Sequence, residues 1–147
     1  ASPDEATRGA TVYTLSQTAS DRQAARLAAR ENRSDILNGV DLGNKSTAVS
    51  SILIDLSQRD AMAAASHFAD ILHREAARQM RFRTPYHRFA SLVVLKSPDT
   101  PSILLETGYV TNDKDASELA SRTGQRRIAA ALAKAITVFF AQQSVAR

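Results

Sequence analysis

The chain has no cysteine and no tryptophan, and its 147 residues include only five glycines and four prolines. Without cysteine there is neither a disulfide nor a thiolate zinc site. Aromatic residues make up 5% of the chain, too few to build the stacking platforms that hold single-stranded nucleic acid. No apolar run reaches 18 residues, so no segment reads as a transmembrane helix. Lysine is scarce too: four lysines stand beside fifteen arginines, and the net charge is +4. The arginines are dispersed, densest at Arg74, Arg78, Arg81, Arg83 and Arg88. Cations at a helix C-terminus, where they complement the dipole, account for such a cluster. Attraction to an anionic wall or membrane surface is the other reading. Dispersed charge with few aromatics argues against nucleic acid as a partner.

What is present reads as a globular α/β unit, 44% hydrophobic and 23% charged. Ala10–Leu15 alternates β-branched and aromatic residues and predicts a strand. Ser20-Asp21 offers an N-cap for a helix through about Asn32. Residues 32–46, with Asn38-Gly39 and Leu42-Gly43-Asn44, predict a loop. Between Thr47 and Arg81 there is neither glycine nor proline, and the pattern is helical. An unbroken helix of that length would run about 50 Å, so a break is expected at Ser57-Gln58-Arg59-Asp60. Leu92–Leu95 and Ile103–Leu105 flank a Pro98/Pro101 turn and predict two buried strands. Asn112 caps a short acidic helix that Gly124 ends. A last helix shows Ile128, Leu132, Ile136 and Phe140 as its apolar stripe, with Phe139 beside it, docking on the sheet. The fold class is α/β: a mixed sheet flanked by helices in a single domain.

The second of those strands stops on a carboxylate, Glu106, followed by Thr107-Gly108. An acid at the carboxyl edge of a sheet stands where ligands bind in open α/β folds. A strand-end acid that is merely paired or solvated has the same spacing. The histidines do not complete a metal site: His67 and His73 are six apart, about 240° around a helix, and His87 stands alone.

The wording of the segment goes further than its spacing. Leu95-Lys96-Ser97-Pro98-Asp99-Thr100-Pro101-Ser102-Ile103-Leu104-Leu105-Glu106-Thr107-Gly108-Tyr109 resembles the zinc-dependent N-acetylmuramoyl-L-alanine amidases of bacterial cell division. Gly9–Ser16 resembles the strand that follows the family's last metal-binding histidine. Glu31–Val40 is similar to a segment of the periplasmic, division-associated branch, and Leu53–Ser57 and Asn112 also resemble the family. On this resemblance Glu106 is the catalytic acid/base beside a Zn²⁺ ion. The reaction is hydrolysis of the amide bond between N-acetylmuramic acid and L-alanine in peptidoglycan, serving cell-wall remodelling and daughter-cell separation in the periplasm. An activator protein of the division machinery is the implied partner.

The same resemblance makes residues 1–147 the C-terminal two thirds of a catalytic domain, lacking its first strands. The family's two His and one Glu zinc ligands are then expected upstream of Ala1, and the fragment alone is expected to be inactive. A helical segment at about 20–60 is expected to be regulatory. Within it, Glu31 matches a region whose glutamate contacts the zinc and blocks substrate until the activator moves it. A surface glutamate paired with Arg30 or Arg33 is the competing reading. A non-catalytic module that holds peptidoglycan or an activator on the same scaffold is the alternative to an enzyme.

Overall fold

The computed structural model describes residues 5–37 and 48–145. Along the chain run β1 (Ala10–Leu15), α1 (Arg22–Leu37), α2 (Ala48–Ala76), β2 (Phe82–Ala90), a 3-10 turn (Val93–Leu95), β3 (Leu104–Glu106), α3 (Asp113–Ala120) and α4 (Arg122–Val145). Among the described residues this is an α/β arrangement of four helices and a mixed three-stranded sheet, ordered β2-β1-β3. Ala10 N donates to Arg81 O at 2.7 Å and Ser16 N to Ala90 O at 3.2 Å, so β1 and β2 advance in the same direction. Two compact units divide the chain. One comprises Ala1–Val12, His67–Tyr86 and Leu105–Arg147; the other comprises Tyr13–Ser66 and His87–Leu104.

In the second unit, Tyr13, Leu27, Ala28, Leu92 and Leu95 share a buried core. The predicted cap of α1 is present at Asp21, whose Oδ1 accepts from Gln23 N at 2.8 Å and Ala24 N at 2.9 Å. Burial opposes ionisation of this carboxyl. The Ala24 amide, the Arg88 guanidinium and the Gln23 amide outweigh that and hold it below the usual aspartate range. Arg88, itself buried, meets Asp21 Oδ2 at 2.9 Å.

Helix α1 runs to Leu37 rather than stopping near Asn32. Polar Asn32-Arg33-Ser34-Asp35 lowers helix propensity without breaking the backbone. The remainder of the expected loop, residues 38–47, lies outside the described residues. The Asn32 carboxamide instead decides the fate of Leu92–Leu95. Its Nδ2 donates to Ser91 O and its Oδ1 accepts from Val93 N, both at 2.8 Å. Those are backbone groups a strand would offer to a ladder, and Leu95 N and Lys96 N close back on Leu92 O and Val93 O. The expected strand is therefore a 3-10 turn. The strand the sequence conceals is β2, whose Arg, His and Pro break the apolar alternation.

The break expected at Ser57–Asp60 is absent, since α2 passes through it. Exposed polar residues make a solvent-facing turn, and nothing in that turn removes a backbone donor or favours a non-helical angle.

In the first unit, the C-terminal half of α2 and α4 run antiparallel. Phe68 meets Phe139 at 4.9 Å between ring centroids, Glu75 Oε2 meets Lys134 Nζ at 3.0 Å, and His67 Nε2 lies 3.1 Å from Gln142 Oε1. The buried stripe of α4 is Ile128, Ala131, Ala135 and Phe139, while the expected Ile136 and Phe140 are exposed. A strict four-residue step drifts about 40° per step around a helix. Positions 128 to 140 taken in fours therefore spread over about 120°. A step of three turns the other way, so steps of three, four and four span only about 80°.

Gly124 does not end α3. Ser121 does, and Ser121 Oγ then accepts from Gly124 N at 2.9 Å to open α4. A Cβ on Gly124 would overlap the Glu118 carbonyl oxygen. In an exposed helix Gly→Ala stabilises by about 1 kcal/mol. Here the overlap is with backbone, which cannot swing away. Gly124→Ala is expected to lower stability by about 2–3 kcal/mol. Urea unfolding measures this, and a higher midpoint would refute the packing account.

Candidate active site

Glu106 is the last residue of β3 and is half-buried. The strand-end placement expected from its spacing is present. The chain turns at once through Thr107-Gly108, and the phenol of buried Tyr109 donates to Glu106 Oε2 at 2.9 Å. Arg83, near the start of β2, donates in turn from Nη1 to the Tyr109 hydroxyl oxygen at 3.4 Å, with its guanidinium carbon 6.0 Å from the ring centroid. A cation donating into a phenol makes that phenol a better donor, so the Arg83–Tyr109–Glu106 line polarises toward the carboxylate. Such a line fixes the plane of the carboxylate. It selects one orientation from a side chain that would otherwise rotate freely.

The turn is held from below by Asp115. Asn112 caps α3, its Oδ1 accepting from Asp115 N at 3.3 Å. This presents the Asp115 side chain to two backbone amides: Oδ2 accepts from Gly9 N at 2.7 Å and from Tyr109 N at 3.1 Å. Arg8 Nε completes the set, 3.3 Å from Oδ1. Asp115 is 5% exposed, so these partners replace water almost entirely. Two glycines permit the approach. A Cβ on Gly108 would lie 3.1 Å from Asp115 Oδ2, and Gly9 adopts φ +91°, where other residues are strained.

In the sequence Asp115 belongs to the short acidic helix after Asn112 and Arg83 to the arginine cluster, and nothing in the order of residues ties either to Glu106. The only local hint is position. Asp115 is three residues after the cap, where a side chain can reach back over the helix start.

The three histidines have other work. The His73 ring stacks on Tyr86 at 3.7 Å with Phe82 at its edge, while the Tyr86 hydroxyl donates to Asp70 at 2.8 Å. Burial, reinforced by Asp70, pushes the Tyr86 phenol above its usual range. His87 Nε2 lies 2.8 Å from Thr14 Oγ1, and His67 sits beside Gln142 and Phe139. Among the described residues no group of three or more His, Cys, Asp or Glu is placed to hold a metal ion. These residues do not fit a catalytic zinc, which takes three protein ligands.

Glu31 lies on α1, partly exposed, with Oε1 2.7 Å from Arg30 Nη2. This is the surface pairing that competes with an inhibitory role. Leu56, within the segment expected to be regulatory, is exposed. None of the helices among the described residues is long and apolar enough to cross a membrane.

A family model described as N-acetylmuramoyl-L-alanine amidase matches residues 1–138. The probable N-acetylmuramoyl-L-alanine amidase AmiB of Haemophilus influenzae is 38% identical over 147 residues, covering 94% of this chain and 32% of that protein. N-acetylmuramoyl-L-alanine amidase AmiA of Escherichia coli K12 is 31% identical over 133 residues, covering 90% of this chain and 46% of that protein. N-acetylmuramoyl-L-alanine amidase AmiC of Neisseria meningitidis is 28% identical over 131 residues, with 88% and 31% covered. The chain thus spans less than half the length of these curated relatives.

Proposed function

Because the chain belongs to the N-acetylmuramoyl-L-alanine amidase family, we propose that it acts in hydrolysis of the amide bond between N-acetylmuramic acid and L-alanine in peptidoglycan. The observation that supports this reading is Glu106 at the end of β3, oriented by Tyr109. Amide hydrolysis needs a base to take a proton from the attacking water and an acid to give one to the leaving amine. One carboxylate within hydrogen-bond reach serves both needs in turn. That is the part assigned to Glu106. Zinc is the cofactor in this reading, and the described residues do not supply its ligand set. What these residues do is place and move the proton.

The setting we assign is the periplasm, in cell-wall remodelling and daughter-cell separation, under an activator protein of the division machinery. Purified sacculi incubated with the full-length protein and zinc test the activity. Release of peptides that begin with free L-alanine is the expected result. Protein that sediments with the sacculi and releases nothing would favour the non-catalytic wall-binding alternative.

Within this reading the autoinhibitory contact is assigned to Glu31. Its pairing with Arg30 is partly exposed and contributes under about 1 kcal/mol, too little to hold the side chain in place against a stronger partner. An inhibited state favoured by about 1.4 kcal/mol masks roughly nine tenths of the molecules. Glu31→Ala is then expected to raise basal turnover about tenfold without activator, and to change little at saturating activator. Unchanged basal turnover would leave Glu31 as a surface residue.

A further inference from the structure

Helix α2 ends at Ala76 with Arg74 in its last turn, whereas Arg83 of the same arginine cluster belongs to β2. From there Nη1 donates to the Tyr109 hydroxyl oxygen at 3.4 Å, and that hydroxyl donates to Glu106 Oε2 at 2.9 Å. The two bonds have a sense as well as a length. A guanidinium has only N–H donors and no acceptor. Whatever else Arg83 meets, toward Tyr109 it can only donate. The phenol oxygen therefore accepts on that side, and its single proton goes to Oε2. Tyr109 is held in place around this pair. Its amide donates to Asp115 Oδ2 at 3.1 Å, its carbonyl accepts from Asn112 N at 3.0 Å, and the residue is 3% exposed.

The geometry points to Tyr109 as a positioning residue that decides which oxygen of Glu106 carries the proton in amide hydrolysis: Oε2 stays an acceptor, and Oε1 takes and gives the proton. The inference rests on the amidase reading and adds to it the path of the proton. Were Oε2 to be protonated, it would have to donate to the phenol oxygen, which already accepts from Arg83. The phenol's own proton would then lose its acceptor in a buried position. An unmade buried hydrogen bond disfavours that arrangement by about tenfold or more. The step balances on Oε1. An O–H bond of the attacking water breaks as its oxygen bonds to the carbonyl carbon, and the proton passes to Oε1. When the C–N bond breaks, the Oε1–H bond breaks with it and the proton goes to the leaving amine nitrogen. Oε2 keeps one partner throughout, so the carboxyl need not turn between the two transfers.

Tyr109→Phe keeps the ring and removes only the hydroxyl, while Glu106 and Arg83, both half-buried, can recover water. In the full-length protein with zinc, acting on a soluble muramyl peptide, it is expected to lower kcat about tenfold with KM within twofold. In the Glu106→Gln background the same change should cost nothing further, because Tyr109 acts only through that carboxyl. A purely structural residue would lower both backgrounds alike. The sense of the bond is read without turnover. The carboxamide of Glu106→Gln mimics the protonated acid, with its oxygen in place of Oε2 and its NH2 group in place of the protonated Oε1. NMR of this full-length variant should show the carboxamide oxygen toward Tyr109 and no strong Overhauser contact between the NH2 protons and the Tyr109 ring. A strong contact there, Tyr109→Phe turnover within twofold of wild type, or equal losses in the two backgrounds would each overturn the proposal. A carboxamide oriented as expected in a protein that cleaves no muramyl peptide would support the bond's sense and count against the amidase reading, so the two fail separately.

Discussion

Glu106→Gln is expected to lower hydrolysis of purified sacculi by about 10²–10⁴-fold while leaving the fold and its stability unchanged. The substitution keeps size and shape. Its amide oxygen can still accept from the Tyr109 phenol, as Oε2 does now at 2.9 Å. What it loses is the ability to bind and release a proton at neutral pH. The predicted loss corresponds to about 3–5 kcal/mol of transition-state stabilisation. Since substrate contacts are otherwise kept, it should fall on kcat rather than KM. Turnover within a few-fold of wild type would remove Glu106 from the chemistry. An equally large loss of stability would show that Glu106 acts through the turn.

Asp115→Ala is expected to do the reverse, costing about 3 kcal/mol of stability. The carboxylate is almost wholly buried and is the shared acceptor for Gly9 N and Tyr109 N, with Arg8 beside it. Removing it leaves two amides without that acceptor. Arg8, itself partly exposed, recovers water more easily, which keeps the cost below that of a fully buried pair. Activity should fall as well, because the Tyr109 amide is one end of the residue whose hydroxyl orients Glu106. Asp115→Asn retains one acceptor oxygen and should lie about midway. Urea unfolding of both variants beside Glu106→Gln separates positioning from chemistry. A midpoint for Asp115→Ala within about 0.5 kcal/mol of wild type would refute the role given to Asp115.

These two residues divide along what can be read locally. Glu106 is legible because strand, acid and turn follow one another within six residues, and their wording resembles a family. The caps at Asp21 and Asn112 are legible for the same reason, since a cap answers amides only two or three residues away. The sequence misleads where a distant group competes for the backbone. Leu92–Leu95 has the composition of a strand, yet the Asn32 carboxamide takes the Ser91 carbonyl and the Val93 amide, and the segment coils. It misleads again where side-chain size was weighed over helical angle, and Ile136 and Phe140 point outward in place of Ala131 and Ala135.

By itself, then, the sequence determined the α/β class, the capped starts of α1 and α3, the strand-end carboxylate and the family resemblance. All four arise from neighbours within a turn or a strand, or from wording along the chain. The tertiary structure alone decided which groups serve that carboxylate. Arg83 comes from 26 residues away to Tyr109, and Gly9 from 106 residues away to Asp115. No periodicity spans such separations, because a hydrogen bond between distant segments depends on where folding brings them and leaves no regular mark in the order of residues.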